Sequence, residues 1–261
     1  MLNKFFKSKK EVNKEERPGF IKGALSFLNL IIMILAIRWI VFEVFMIPSG
    51  SMYPKLYIND YVFVTKMDFG IRVPFMYKWV YGPVLPERRA ITVFKDPDDS
   101  KYLIKRLVGL PKDKLVIFND FILSLNGEKV THTKLSDEEH KEMAVKMKQE
   151  EDSFTGFYEK FPGEEPHIIL TFPDEENPDD VDAEEIAANS ESFDVPDDYL
   201  LFMGDNRHMS YDGRRFGYVP AARLVGRARF IILSCDQKLV MGAGCSPLSL
   251  RLNRMGNGLN F

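Results

Sequence analysis

Residues 121–130 read Phe-Ile-Leu-Ser-Leu-Asn-Gly-Glu-Lys-Val, with Asn126-Gly127 at the junction of two short runs. Asn-Gly is favoured in two-residue hairpin turns, because both positions need a positive φ that these residues tolerate. The surrounding sequence alternates with the period of two that is typical of half-buried strands. Further strands are predicted at 61–66, 90–95, 102–108, 114–118, 199–203 and 228–233. The chain is therefore expected to be mainly β, with an antiparallel sheet domain.

Residues 24–47 form a long apolar stretch near the N-terminus, interrupted by Arg38 and Glu43. At about 1.5 Å per helical residue this stretch is long enough to cross a hydrocarbon core of roughly 30 Å. It is predicted to be a single transmembrane helix; a buried core helix or a cleavable signal sequence is the alternative. Lysines dominate the preceding residues, so the positive-inside rule places residues 1–23 in the cytoplasm and the later residues outside it.

Residues 131–198 differ in character from the β-patterned segments on either side. Ser136 and Glu139 form a capping box that predicts a helix through residue 148. Residues 150–198 are densely acidic, with Lys160 as their only lysine or arginine. We interpret 131–198 as an inserted subdomain with a mobile acidic portion, flanked by two core segments, 48–130 and 199–261. A docking surface for basic partners is the sharper hypothesis for the acidic segment, and a solvated surface is the simpler one.

Composition excludes several classes of protein. The net charge is −3, which gives no basic footprint for nucleic acid. The four histidines show no ligand spacing, so neither a metal site nor any other cofactor is predicted. Cys235 and Cys245 lie in a region assigned to an oxidising compartment, where a short-loop disulfide or two inert thiols are both possible.

Ser51 follows the apolar stretch in the segment Pro-Ser-Gly-Ser-Met-Tyr-Pro, residues 48–54. A serine hydroxyl needs a base to become a nucleophile, and none of the histidines lies in a comparable glycine-marked turn. A buried lysine can be that base, because burial favours its neutral form. On a strand, Lys105 shares a face with Leu103 and Leu107, whereas the neighbouring arginine cannot deprotonate. A solvated strand lysine is the alternative.

A third polar segment, residues 204–214, reads Gly-Asp-Asn-Arg-His-Met-Ser-Tyr-Asp-Gly-Arg. The segments around Ser51, Lys105 and Ser210, taken in this order, together with an N-terminal apolar span, resemble the bacterial type I signal peptidase (leader peptidase) family. The resemblance covers residues 35–130 and 197–256.

The resemblance implies a serine and lysine dyad in which Ser51 is the nucleophile and Lys105 the general base. It implies that the Ser49 hydroxyl and the Ser51 backbone N–H form the oxyanion hole, and that Ser210 hydrogen-bonds the lysine amine. Further positions would support the site: Asp212, Arg214 and Arg207. Others would line two shallow pockets for small side chains: Ile47, Pro48, Met52, Leu56 and Ile104.

The expected protein is a monomeric, membrane-bound serine endopeptidase that cuts signal peptides from exported preproteins after Ala-x-Ala-like sites. It would be a single-pass protein of the bacterial plasma membrane, in contact with the lipid bilayer and with its catalytic domain outside the cytoplasm. Two alternatives differ in activity. One is a LexA-like self-cleaving protease with the same chemistry, and the other is a catalytically silent membrane-anchored β scaffold.

Overall fold

The computed structural model describes residues 16–72, 79–99, 101–236, 245 and 249–259. The strands are β1 (Phe42–Met46), β2 (Asp60–Thr65), β3 (Ile71–Arg72), β4 (Trp79–Tyr81), β5 (Ile91–Lys95), β6 (Tyr102–Gly109), β7 (Lys114–Phe118), β8 (Phe121–Leu125), β9 (Glu128–Lys129), β10 (Thr131–Lys134), β11 (Thr155–Lys160), β12 (His167–Thr171), β13 (Ser190–Asp194), β14 (Tyr199–Met203), β15 (Val219–Pro220) and β16 (Leu224–Ser234). The α-helices are α1 (Glu16–Val41), α2 (Asp137–Met147), α3 (Ala183–Asn189) and α4 (Gly213–Phe216). The prediction of a mainly antiparallel β protein is confirmed.

Helix α1 forms a unit of its own at the N-terminus. It ends at Val41, whereas the sequence predicted one helix over 24–47, and the prediction is wrong for the last residues. Phe42–Met46 instead form β1, which pairs antiparallel with β2. Aromatic and β-branched residues in this segment favour a strand once a partner supplies backbone hydrogen bonds. Over the residues that the structure covers, no helix is both long enough and apolar enough to span a bilayer. Residues 1–15 of the predicted cytoplasmic tail lie outside the described residues.

The main sheet has seven strands in the order β1-β2-β16-β5-β6-β14-β15. Each neighbouring pair is antiparallel. β16, from late in the chain, lies between β2 and β5 and begins at Leu224, earlier than the predicted 228. Side chains of these central strands form a buried apolar cluster that includes Val62, Val64, Val93 and Ile231.

The predicted hairpin lies in a second sheet, of order β13-β7-β8-β9. Asn126 and Gly127 have φ values of 54° and 84°, as the hairpin turn requires, and the turn prediction is confirmed. β13 comes from the end of the predicted insertion, yet it pairs with β7 over Ser190–Asp194. The insertion therefore returns to the core sheet before residue 198.

The inserted subdomain contains a third sheet, of order β10-β11-β12, and helix α2. The capping box is present: the Ser136 side chain accepts from the Glu139 amide, and Glu139 reaches back to Ser136. The acidic segment, expected to include a mobile portion, contains β11, β12, α3 and β13. Phe157 and Ile169 are fully buried on facing strands, so this segment supplies core packing as well as charge.

A disulfide joins Cys235 and Cys245, whose Cα atoms are 5.8 Å apart. Of the two alternatives that the sequence left open, the structure contains the disulfide. It closes a short loop directly after β16. The backbone of Cys235 also pairs with that of Leu250 in an isolated antiparallel β-bridge.

Candidate active site

Ser51 lies in a tight turn that follows β1 and is held by several backbone contacts. The Tyr53 amide donates to the Gly50 carbonyl at 3.0 Å. Asn206 holds the turn from the other side: its Nδ2 donates to the Gly50 carbonyl at 3.1 Å, and its amide donates to the Ser51 carbonyl at 3.1 Å. No role was predicted for Asn206 from the sequence, although its place in a polar loop after a buried strand was the available signal.

Lys105 lies on β6 with only 4% of its surface exposed, so it is not a solvated strand lysine. Its Nζ donates a hydrogen bond to Ser51 Oγ at 2.5 Å. Burial lowers the pKa of Lys105 to about 8, although Asp212 and Asp205 act in the opposite direction. The structure thus joins a serine hydroxyl to a lysine that deprotonates far more readily than a free one.

The Ser49 hydroxyl lies on the exposed side of the same turn, with its Oγ 3.4 Å from Ser51 Oγ. A hydroxyl at this position can donate to an oxygen that develops negative charge beside the nucleophile. Ser49 therefore presents a second hydroxyl beside that of Ser51.

The 204–214 loop packs directly on the Ser51 turn at Gly204. A Cβ on Gly204 would lie 2.5 Å from the Ser51 carbonyl oxygen and 2.4 Å from Ser210 Oγ, so only glycine fits there. Ser210 Oγ is buried near the Asp212 carboxylate, whose pKa it helps to lower, and it has no partner at hydrogen-bond geometry within the described part of the chain. The Lys105 to Ser210 hydrogen bond that the resemblance implies is therefore not formed. Ser210 instead faces a polar cleft of about 520 Å³ that His208 also lines.

Asp212 and Arg214 close the loop on itself. The Asp212 carboxylate accepts from the Gly204 amide at 3.0 Å and from Arg214 Nε at 3.0 Å. Burial alone would raise the pKa of Asp212, but the Arg214 guanidinium holds it below the ordinary value. Arg214 also donates to Asp120 Oδ1 at 2.5 Å and to the Arg207 carbonyl at 2.6 Å. Arg214 thus keeps the Asp212 carboxylate charged, and that charge opposes the lowering of the Lys105 pKa.

A buried ion pair fixes the start of the loop. Arg106 donates through Nε and Nη2 to the two Asp205 oxygens, at 2.6 and 2.5 Å, and both residues are 1% exposed. Arg106 follows Lys105 on β6, where successive side chains point to opposite faces of the sheet. Its partner was not predicted, because Asp205 lies 99 residues further along the chain.

The predicted pocket residues fall into two groups. Ile47, Met52 and Leu56 are at most 1% exposed and belong to the core cluster beneath the turn. Pro48 is exposed, and Ile104 is partly buried against the same cluster. Only the last two present surface to an incoming ligand.

Three of the four histidines have partners other than Ser51 and Lys105. His132 and His167 are buried beside Glu159 of β11, and His140 stacks on Phe154. Across the described ranges, no group of His, Cys, Asp or Glu side chains has the arrangement of a metal site.

Comparison with known proteins gives consistent matches. The family model described as signal peptidase, peptidase S26, matches residues 20–233. The signal peptidase I of Buchnera aphidicola subsp. Acyrthosiphon pisum is 29% identical over 277 residues, covering 98% of this chain and 87% of that protein. The signal peptidase I of Pseudomonas fluorescens is 31% identical over 235 residues, covering 86% and 75%. A solved signal peptidase I from Enterococcus faecalis V583 is 22% identical with a TM-score of 0.30, covering 55% of this chain and 97% of that one. The matches to the family model and to these two relatives show that the chain belongs to the signal peptidase family, peptidase S26.

Proposed function

We propose that this protein is a membrane-bound serine endopeptidase that removes signal peptides from exported preproteins, with Ser51 as nucleophile and Lys105 as general base. Family membership supports the peptidase activity. One observation carries the mechanism: the 2.5 Å hydrogen bond from Lys105 Nζ to Ser51 Oγ, made by a lysine that is 4% exposed.

The chemistry follows from that contact. Neutral Lys105 takes the Ser51 proton while Oγ attacks the scissile carbonyl carbon, and the carbonyl oxygen becomes an oxyanion. The Ser51 backbone N–H and the Ser49 hydroxyl stabilise that charge. Protonated Lys105 then gives its proton to the leaving amine, which breaks the peptide bond and leaves an ester on Ser51. A water molecule that gives its proton to Lys105 attacks the ester, and proton return to Oγ restores the enzyme.

The start of β6 has no partner in β14, which supports binding of the substrate there in an extended conformation. β14 pairs with β6 only from Arg106 onward, through Arg106, Leu107 and Gly109. The part of β6 that carries Ile104 and Lys105 extends past this pairing. A peptide that adds there as a strand would bring its carbonyl to Ser51 and its alternate side chains to Pro48 and Ile104. Small side chains, as in Ala-x-Ala sites, suit a surface backed directly by the core.

The test is incubation of a model preprotein with the purified full-length protein in detergent, followed by mass spectrometry. Cleavage of the preprotein after a small residue supports the proposal. Cleavage of the enzyme's own chain alone would favour a LexA-like protease, and no cleavage at all would favour a silent scaffold.

We also propose that the N-terminal segment attaches the protein to the bacterial plasma membrane, with the residues after 50 outside the cytoplasm. Large apolar side chains of α1 from Ile21 to Ile40 are 37–56% exposed, and Phe27 is 66% exposed, which lipid would cover. Lysines before the span favour a cytoplasmic N-terminus.

Protease added to intact spheroplasts should degrade the part after residue 50 and spare the N-terminal tail. Protection of that part would reverse the orientation.

The pH dependence of cleavage should show which residue is the general base. The Lys105 pKa of about 8 means that the neutral form is scarce below this pH and dominant above it. We expect kcat/KM to rise about tenfold per pH unit below pH 8 and to level off above it. Burial lowers the pKa of His167 to about 4, and it also lowers that of His208, so neither histidine accounts for a limb near 8.

The control for the pH profile is His208→Asn, which changes the histidine in the loop nearest the site. Its profile should coincide with that of wild type apart from a modest change in height. A limb centred near 6.5, the ordinary pKa of histidine, that disappears in this variant would identify histidine as the base and reject Lys105.

A further inference from the structure

Glu159 is a charged residue of the inserted subdomain that is 0% exposed. Arg207 donates to it twice, from Nη2 to Oε2 at 2.6 Å and from Nη1 to Oε1 at 2.9 Å. His132 Nε2 lies 3.2 Å from Oε1, and His167 Nε2 lies 3.3 Å from Oε2. Burial alone would raise the pKa of Glu159, but Arg207 and the two histidines hold it well below its ordinary value. The carboxylate is thus a fixed anion in the interior.

Arg207 connects the Glu159 carboxylate to the 204–214 loop. Its Nε donates to the Gly204 carbonyl at 3.1 Å, and its Nη1 also donates to the Asp120 carbonyl at 2.6 Å. The backbone gives a second link, since the Arg207 amide donates to the Leu170 carbonyl of β12 at 2.7 Å. Gly204 is the residue that packs on the Ser51 carbonyl. Glu159 therefore reaches the Ser51 turn through a single guanidinium and one backbone group.

We propose that Glu159 is a positioning residue of the active site, which fixes Arg207 and through it the loop that packs on Ser51. The proposal rests on the proposed function for its kinetic readout. It makes the inserted subdomain a part of the catalytic unit, in addition to any solvated acidic surface that it presents.

The expected effect of removing the charge is local. In Glu159→Gln, Arg207 stays buried with only a neutral partner, and a buried charge without its counterion reorganises its surroundings. The guanidinium would draw away from the Gly204 carbonyl, and the loop would loosen against the Ser51 turn. Substrate contacts at Pro48 and Ile104 do not involve Glu159, so KM should change little while kcat falls.

The experiment compares Glu159→Gln with Asp113→Asn in the full-length protein. Asp113 is a matched control: it is 7% exposed and accepts from Arg88 Nη1 at 2.7 Å and from the Leu110 amide at 2.6 Å. Displacement of the loop that packs on the Ser51 turn should lower kcat by about 10- to 100-fold in Glu159→Gln, since small misplacements of reacting groups cost rates of this order. The control should keep the wild-type kcat. Hydrogen exchange of amides in 204–214 should accelerate in Glu159→Gln only.

Each outcome decides the proposal. Unchanged kcat in a folded Glu159→Gln protein, or exchange that accelerates equally in all strands, would overturn it. If wild type cleaves no preprotein, the proposed function fails. Faster exchange confined to 204–214 in Glu159→Gln would still test whether Glu159 holds that loop in place. If Glu159→Gln does not fold, Glu159→Asp keeps the charge on a shorter side chain. That variant should then show a smaller loss of kcat together with faster exchange confined to residues 204–214. A Glu159→Asp protein with neither change would show that Glu159 is not a positioning residue.

Discussion

Ser51→Ala is expected to lower kcat/KM for preprotein cleavage by about 10⁴-fold or more, the order seen when a serine protease loses its nucleophile. No other hydroxyl is hydrogen-bonded to Lys105 Nζ among the residues described, so no group replaces the lost one. The fold should survive, because removing one hydroxyl at the edge of the turn leaves the Gly50 and Ser51 backbone contacts with Asn206 intact. Quantitative cleavage assays with a thermal melt of each variant measure both effects.

The matched control is Ser49→Ala, a serine in the same turn at 3.4 Å from Ser51 Oγ. Loss of one oxyanion donor costs about 10²- to 10³-fold in kcat, so this variant should keep measurable activity. A Ser51→Ala protein as active as Ser49→Ala would show that Ser51 is not the nucleophile.

Lys105→Arg should be as inactive as Ser51→Ala, although it retains a cation at the same position. Arginine stays protonated in proteins and cannot accept the Ser51 proton. The larger guanidinium must also fit a site where the native side chain is 4% exposed. A loss of about 10⁴-fold or more is expected, because nucleophile and base act as one unit.

Lys55→Arg is the control for that substitution. Lys55 follows the Ser51 turn and its pKa is also lowered by burial, but it is not bonded to Ser51. It should retain near wild-type kcat. Substantial cleavage by Lys105→Arg, or equal losses in the two variants, would remove Lys105 from the role of base.

Local signals explain which parts of the fold were predictable. The Asn126-Gly127 turn and the Ser136 capping box depend on residues close together in sequence, and both are present. The predicted N-terminal helix extended too far, to residue 47, because hydropathy alone does not mark the change from helix to strand at Phe42. That change depends on pairing with β2, which lies beyond the turn.

The candidate site was predictable where a segment carries its own pattern. Ser51 in its glycine-marked turn and Lys105 between apolar neighbours are such cases, and the structure joins them. Partners across the chain were not predictable: Arg207 and Glu159 are 48 residues apart, and no period or motif connects them. The Lys105 to Ser210 hydrogen bond that the resemblance implied is not formed, since a shared motif does not by itself set the distance between two side chains.

The place of β16 in the main sheet bears on how the enzyme is made. The ribosome delivers the N-terminal residues first, so the Ser51 turn, β2, β5 and β6 emerge long before residues 224–234. Yet β2 and β5 are not neighbours, because β16 lies between them and pairs with both. Pairing at such sequence separation is a late event in folding. A nascent chain therefore contains Ser51 and Lys105 before the sheet that unites them is complete, and that sheet can form only after β16 has been synthesised.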